Sequence, residues 1–269
     1  MQDKSVNSNV IKKTQRAINQ LLSRFGIKIV RATYYKRRKN NLDSGGGYIE
    51  FVGPSGIGKS TLFKNFSRMT NLPYLYRQNF NAKDYADKFD SVLQWHLLAQ
   101  KFSDLNSREL EEHKKLKLIH YFVKVAMDDA VVNSILSDNL LMFDEGLFHN
   151  FSKQINELPD DQFKELTRDR AFIFLEARDP KTVVQRRRKR FKETGVIVTH
   201  HVGLDDLEME KEVANSQVKF ATLKRRLTAV DVTHCTVFAE DSIEYNCSIL
   251  AAFEKQLLAE MALGATKHG

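Results

Sequence analysis

The run Gly53-Pro54-Ser55-Gly56-Ile57-Gly58-Lys59-Ser60-Thr61 constrains the fold more than any other stretch of this sequence. It fits the pattern G-x-x-x-x-G-K-[ST] at every fixed position, follows the apolar stretch YIEFV and leads into the amphipathic stretch STLFKNF. Glycines at this spacing let successive backbone N–H groups curl around phosphate oxygens, and the helix that follows turns its positive dipole end toward them. Gly53, Ser55, Gly56, Ile57, Gly58, Lys59, Ser60 and Thr61 together read as a cradle for a nucleoside triphosphate. Lys59 is placed to neutralise the β- and γ-phosphates, and the Ser60 hydroxyl to ligate Mg²⁺.

Such a loop needs an acidic partner for the metal at the end of a neighbouring strand. Four apolar residues, LLMF (140–143), lead into Asp144, Glu145 and a turn glycine, Gly146. Asp144 is expected to hold Mg²⁺ directly or through water. Glu145 or Asp144 is expected to accept a proton from the attacking nucleophile. A third element is the basic run Arg186-Arg187-Arg188-Lys189-Arg190. At helical spacing Arg186 and Arg190 lie one turn apart on a shared face, with Arg187 beside them. Guanidinium groups on a mobile segment suit the charge that spreads over a transferred phosphoryl group. Residues 180–203 therefore read as a lid, with the stretch Gly195 to Gly203, including Thr199, His200 and His201, as its hinge or flap.

Apolar runs alternate with helical patterns along the rest of the chain. Strands are expected at 48–52, 73–77, 140–144, 171–177 and 235–240. Helices are expected at 59–69, over most of 84–136, and at 159–168, 180–192, 207–228 and 243–262. That alternation implies crossover connections and a largely parallel α/β sheet covered on both faces. Asp43-Ser44-Gly45-Gly46-Gly47 reads as a linker, so residues 1–44 form an arm and residues 45–269 the main domain.

Charge separates these parts. The 269 residues carry a net charge of +8, of which +10 sits in residues 1–40 and +7 in residues 178–192, leaving −9 for everything else. The arm patterns as a basic amphipathic helix over 9–25, with Ile11, Ile18, Leu22 and Phe25 on one stripe. Such a helix suits an anionic membrane surface, packing on the domain, or self-association. Phe25, Tyr34 and Tyr35 are its only stacking candidates for nucleic acid, which is thin for single-strand recognition. The two cysteines, Cys235 and Cys247, supply no disulfide scaffold. With a polar start and no apolar run of membrane-spanning length, a cytoplasmic protein, peripheral to a membrane if the arm binds one, is expected.

From about Tyr48 to Leu257 the chain resembles the nucleoside and nucleotide kinase group of P-loop proteins, the thymidylate-kinase and deoxynucleoside-kinase branch especially. GPSGIGKST, FDEG and LEARDPKTVVQRRRKR carry the resemblance. It implies a five-stranded parallel sheet in order 2-3-1-4-5, a lid that closes over magnesium-bound ATP, and arginines four apart on that lid, best fitted by Arg186 and Arg190. It also implies an acceptor pocket built within 80–136, where Asp84 and Trp95 are candidates. Two departures stand out: the second strand offers Arg77 and Gln78 in place of a carboxylate base, and Asp-Glu-Gly replaces an acid followed by arginine. Arg77 would then face the acceptor, which is a nucleoside, a nucleotide or a sugar-like molecule. A P-loop ATPase or a regulatory nucleotide-binding protein, acting on nucleic acid or at a membrane surface, is the alternative. Neither an LSGGQ-like nor an NKxD-like motif is present to specify an ABC ATPase or a GTPase.

Overall fold

The computed structural model describes residues 47–70, 92–135, 140–195 and 203–265. The arm at 1–44, the strand expected at 73–77 with Arg77, Asp84 and the Thr199-His200-His201 stretch lie outside the described residues. Four strands, β1 (Gly47–Val52), β2 (Leu140–Phe143), β3 (Arg170–Glu176) and β4 (His234–Phe238), pair in the order β2-β1-β3-β4. Every pairing is parallel. Among the described residues the sheet is therefore four-stranded rather than five-stranded, and these four stand in the order expected for them.

Parallel strands need crossovers, and nine helices among the described residues surround them. These are α1 (Lys59–Met69), α2 (Val92–Asn106), α3 (Glu112–Ile135), α4 (Leu147–Asn150), α5 (Ser152–Asn156), α6 (Asp160–Thr167), α7 (Pro180–Thr194), α8 (Asp206–Ala229) and α9 (Ile243–Ala265). The short helices α4 and α5 are absent from the sequence expectation, because four or five residues show too little periodicity to read. Helix ends follow local chemistry. Asp179 caps α7 through the Lys181 amide with Pro180 in the first turn, and Gly195 closes it in the left-handed region. Asp205 and Glu208 form a capping box that opens α8.

The sheet separates two apolar cores. Ile49, Phe51, Met142, Ile173, Leu175 and Val237 pack with α1 and α9 through Phe63, Phe66, Leu250 and Phe253. Val52, Phe172 and Phe174 pack on the other face with α2 to α6 and α8. Strand alternation puts Glu50, in the centre of β1, on this second face, where it is 0% exposed. Among the described residues no helix is long and apolar enough to cross a membrane.

Candidate active site

The loop from Gly53 to Gly58 joins the end of β1 to the start of α1. Gly58 stands at φ +114, and a Cβ there would meet the Arg186 guanidinium at 3.0 Å, so backbone conformation and space both call for glycine. Lys59 folds back into the loop. Its ammonium donates to the carbonyls of Gly53 at 2.8 Å and Pro54 at 3.1 Å, and pairs with Glu145 Oε1 at 3.2 Å. Only 3% of Lys59 is exposed. Burial holds its pKa below the ordinary lysine value, while the neighbouring Glu145 and Asp144 charges pull the other way.

β2 delivers the two acids to the same place. The Ser60 hydroxyl donates to Asp144 Oδ2 at 3.1 Å. Burial raises the Asp144 pKa above the usual carboxylate value, and the Ser60 bond opposes that shift. Glu145 Oε1 also lies 3.6 Å from His149 Nε2 on α4, and the His149 ring stacks on Phe220 of α8. Lys59, Ser60, Asp144 and Glu145, 84 residues apart across the Ser60–Asp144 bond, thus converge.

Glu50 was not among the residues expected here. Its carboxylate accepts hydrogen bonds from the amides of Gly146 at 3.1 Å, Phe148 at 3.2 Å and His149 at 2.7 Å. Burial pushes its pKa up to about 8 against the pull of those three amides. The available signal was an acid in the middle of an apolar strand: Tyr48, Glu50 and Val52 share a face, and a buried-face acid needs a partner.

The arginine run meets the loop from α7. Arg186 donates to the Ile57 carbonyl at 2.5 Å and also to the Ala239 carbonyl beyond β4. Arg187 donates twice to the Ser55 carbonyl, at 2.7 and 3.0 Å, and pairs with Glu212 of α8 at 2.6 Å. Arg188 turns away, to Asp206 at 2.7 Å and the Leu204 carbonyl at 3.1 Å. Arg190 is exposed and makes no side-chain hydrogen bond or ion pair among the described residues. Arg186 and Arg187, rather than Arg186 and Arg190, are therefore the pair that touches the loop.

Solved structures similar to this chain include a shikimate kinase, a deoxyadenosine kinase and a gluconokinase. The chain is similar to a shikimate kinase from Bacteroides thetaiotaomicron at 17% identity, over 78% of this chain and 98% of that one, with a TM-score of 0.44. It is similar to a deoxyadenosine kinase from M. mycoides at 13% identity, over 78% and 99% of the two chains, with a TM-score of 0.44. A gluconokinase from Sinorhizobium meliloti 1021 matches at 14% identity, over 84% and 99%, with a TM-score of 0.41. No protein-family model matches the chain, and no curated protein matches it in sequence.

The remaining expected residues fall in different places. Ile57 is fully buried beneath the loop. Thr61 lies in the first turn of α1, and its carbonyl accepts from the Asn65 side chain at 2.8 Å. Trp95 is 65% exposed on α2 and makes no ring contact among the described residues.

Proposed function

We propose that this chain is an ATP-dependent kinase that transfers the γ-phosphoryl group to a hydroxyl or phosphate of a small-molecule acceptor, nucleoside, nucleotide or sugar-like. The observation that carries this reading is the meeting of buried Lys59 with Ser60, Asp144 and Glu145 at the start of α1.

The residues present suit both a triphosphate and Mg²⁺. Gly58 provides no side-chain cap for α1, and the first turn of that helix holds no acid, so its amide end suits an anion. Ser60 and Asp144 are hard oxygen donors at mutual hydrogen-bond distance, a set that fits Mg²⁺ with its other positions left to phosphate and water. Bound there, Mg²⁺ would neutralise charge on the β- and γ-phosphate oxygens.

The chain's own side chains then divide the work. Lys59 exchanges its two loop carbonyls for phosphate oxygens, which match its charge better. Asp144 is engaged with Ser60, so Glu145 is assigned as the base, freed when Lys59 turns to the phosphates. Arg186 and Arg187 already touch the loop and are assigned to the transferred group, with α7 as the moving part of the lid. Residues 1–44 are assigned to an anionic membrane surface or to self-association, and liposome flotation with and without them separates the two.

The test uses γ-labelled ATP with panels of nucleosides, nucleotides and sugars. Label should pass to one acceptor class and depend on Mg²⁺. Fast ATP hydrolysis indifferent to every acceptor would overturn the transfer reading in favour of an ATPase.

A further inference from the structure

The Asp144-Glu145-Gly146 turn is fixed from both sides by a single residue. In the β1–β2 ladder Glu50 stands opposite Phe143, the residue just before the turn. Its side chain reaches past the turn to the amides of Gly146, Phe148 and His149, the open N-terminus of α4. A helix start normally takes its cap from the residue at the boundary. That residue here is Gly146, which has no side chain to offer. The cap instead comes from Glu50, 96 residues earlier in the chain. Only Asp144 and Glu145 lie between these two fixed points.

Gly146 gains a specific reason to be glycine. Its backbone is extended, at φ −118 and ψ −151, a conformation open to any residue. A Cβ on it, however, would lie 2.6 Å from both Cδ and Oε2 of Glu50. The glycine makes room for the carboxylate rather than for a turn.

We infer that Glu50 is a positioning residue for the metal-binding and base carboxylates, acting as a tertiary helix cap for which Gly146 supplies the space. This rests on the kinase reading, since it gives Asp144 and Glu145 their roles. Loss of the cap leaves α4 with unsatisfied buried amides and loosens the turn that presents Asp144 to Ser60. The nucleotide cradle, formed by Lys59 and the Gly53–Gly58 loop at the end of β1, keeps the Lys59 bonds to the Gly53 and Pro54 carbonyls.

A four-way comparison of wild type, Glu50→Ala, Gly146→Ser and the double variant tests this. The readout is affinity for a fluorescent ATP analogue in Mg²⁺ and in EDTA, with thermal denaturation alongside. Each single variant should lose at least about tenfold of the Mg²⁺-dependent gain in affinity while its affinity in EDTA changes less than about threefold, each tenfold being about 1.4 kcal/mol. In the double variant the space left by Glu50 admits the introduced serine side chain, whose hydroxyl can cap α4 locally, and the Mg²⁺ gain should return to within about threefold of wild type. A purely structural role would lower the melting temperature without this selective loss and rescue. Should Glu50→Ala fail to fold, Glu50→Val, which has no acceptor oxygen and no atom at the Cδ position that crowds residue 146, carries the same comparison. Full Mg²⁺ gain in Glu50→Ala or Glu50→Val, or a double variant no better than the worse single one, overturns the inference alone. A wild-type chain that binds no nucleotide overturns the kinase reading and this inference with it.

Discussion

Two buried cations face opposite fates in this molecule. Arg170, at the start of β3, donates to both oxygens of Asp129 at 2.8 and 3.0 Å. The same carboxylate accepts from the Tyr48 hydroxyl at 2.5 Å and from Gln94 at 3.1 Å. The guanidinium also lies over the rings of Tyr48 and Phe148. Strands β1 and β3 and helices α2 and α3 are thereby joined by one buried cluster of side chains. Lys59 is as deeply buried, but two of its three partners are neutral carbonyls of its own loop and the third, Glu145, has a side chain 33% exposed. A flexible ammonium among replaceable partners can change them; a planar fork in a bidentate, aromatic-lined clamp cannot without unfolding its surroundings. Burial alone does not mark a site, and the exchangeability of the partners does.

The largest expected effects break this contrast along its axis. Lys59→Ala should lower turnover by about 10³-fold, the scale of losing a preorganised charge stabiliser, with little change in the denaturation midpoint. Arg170→Ala should do the opposite. It strands the Asp129 charge in the core and should cost about 3–5 kcal/mol in urea denaturation, with phosphoryl transfer per folded molecule retained. Turnover surviving in the first variant, or unaltered stability in the second, would dissolve the distinction.

An intermediate effect sharpens the assignment of the clamp. Arg186→Ala should reduce kcat by about 10²-fold and change nucleotide affinity far less, whereas Arg190→Ala should reduce kcat by less than about tenfold. The reverse order would return the role to Arg190 and require α7 to turn about its axis on closing.

The smallest effect concerns a third cation. Lys101 on α2 donates to the Asn150 carbonyl at 2.8 Å and lies 4.4 Å from the Phe122 ring centroid. Burial lowers its pKa to about 8, with Arg108 adding to the shift. Between about pH 8 and 10.5 the unfolded chain therefore binds more protons than the folded one, and stability should rise with pH across that window. Lys101→Met should flatten that slope in urea denaturation measured from about pH 7.5 to 10.5. An unchanged slope would show that this lysine keeps its charge inside the fold.

What was legible in the sequence was local. The run from Gly53 to Thr61 is nine consecutive residues whose backbone and side-chain requirements are written together, and Asp144 follows because an apolar strand ending in an acid is itself a local pattern. The four described strands were readable for a related reason, since both faces of a parallel sheet are buried and β3 is apolar throughout except at its two ends. Glu50 was harder because its three partners lie 96 to 99 residues away, and nothing near it in the chain needs an acid. Gly146 was read as a turn glycine, but its dihedral angles are extended and its requirement comes from Glu50. The arginine run gave the helix, but not that Arg186 and Arg187 are the members that touch the loop. Spacing fixes which arginines share a face, but only packing of α7 against the loop and α8 decides which of them faces inward.

The ties made by Arg186, Arg187 and Arg188 also bear on how α7 responds to salt. Dissolved ions weaken the exposed Arg188–Asp206 pair readily, the less exposed Arg187–Glu212 pair less so, and the donations from Arg186 and Arg187 to backbone carbonyls hardly at all. The ties that join α7 to the loop itself, Arg186 to Ile57 and Arg187 to Ser55, are the ones that ionic strength barely reaches. The contact between α7 and the loop should therefore change little between dilute and concentrated buffer, although the segment is the most basic part of the described chain.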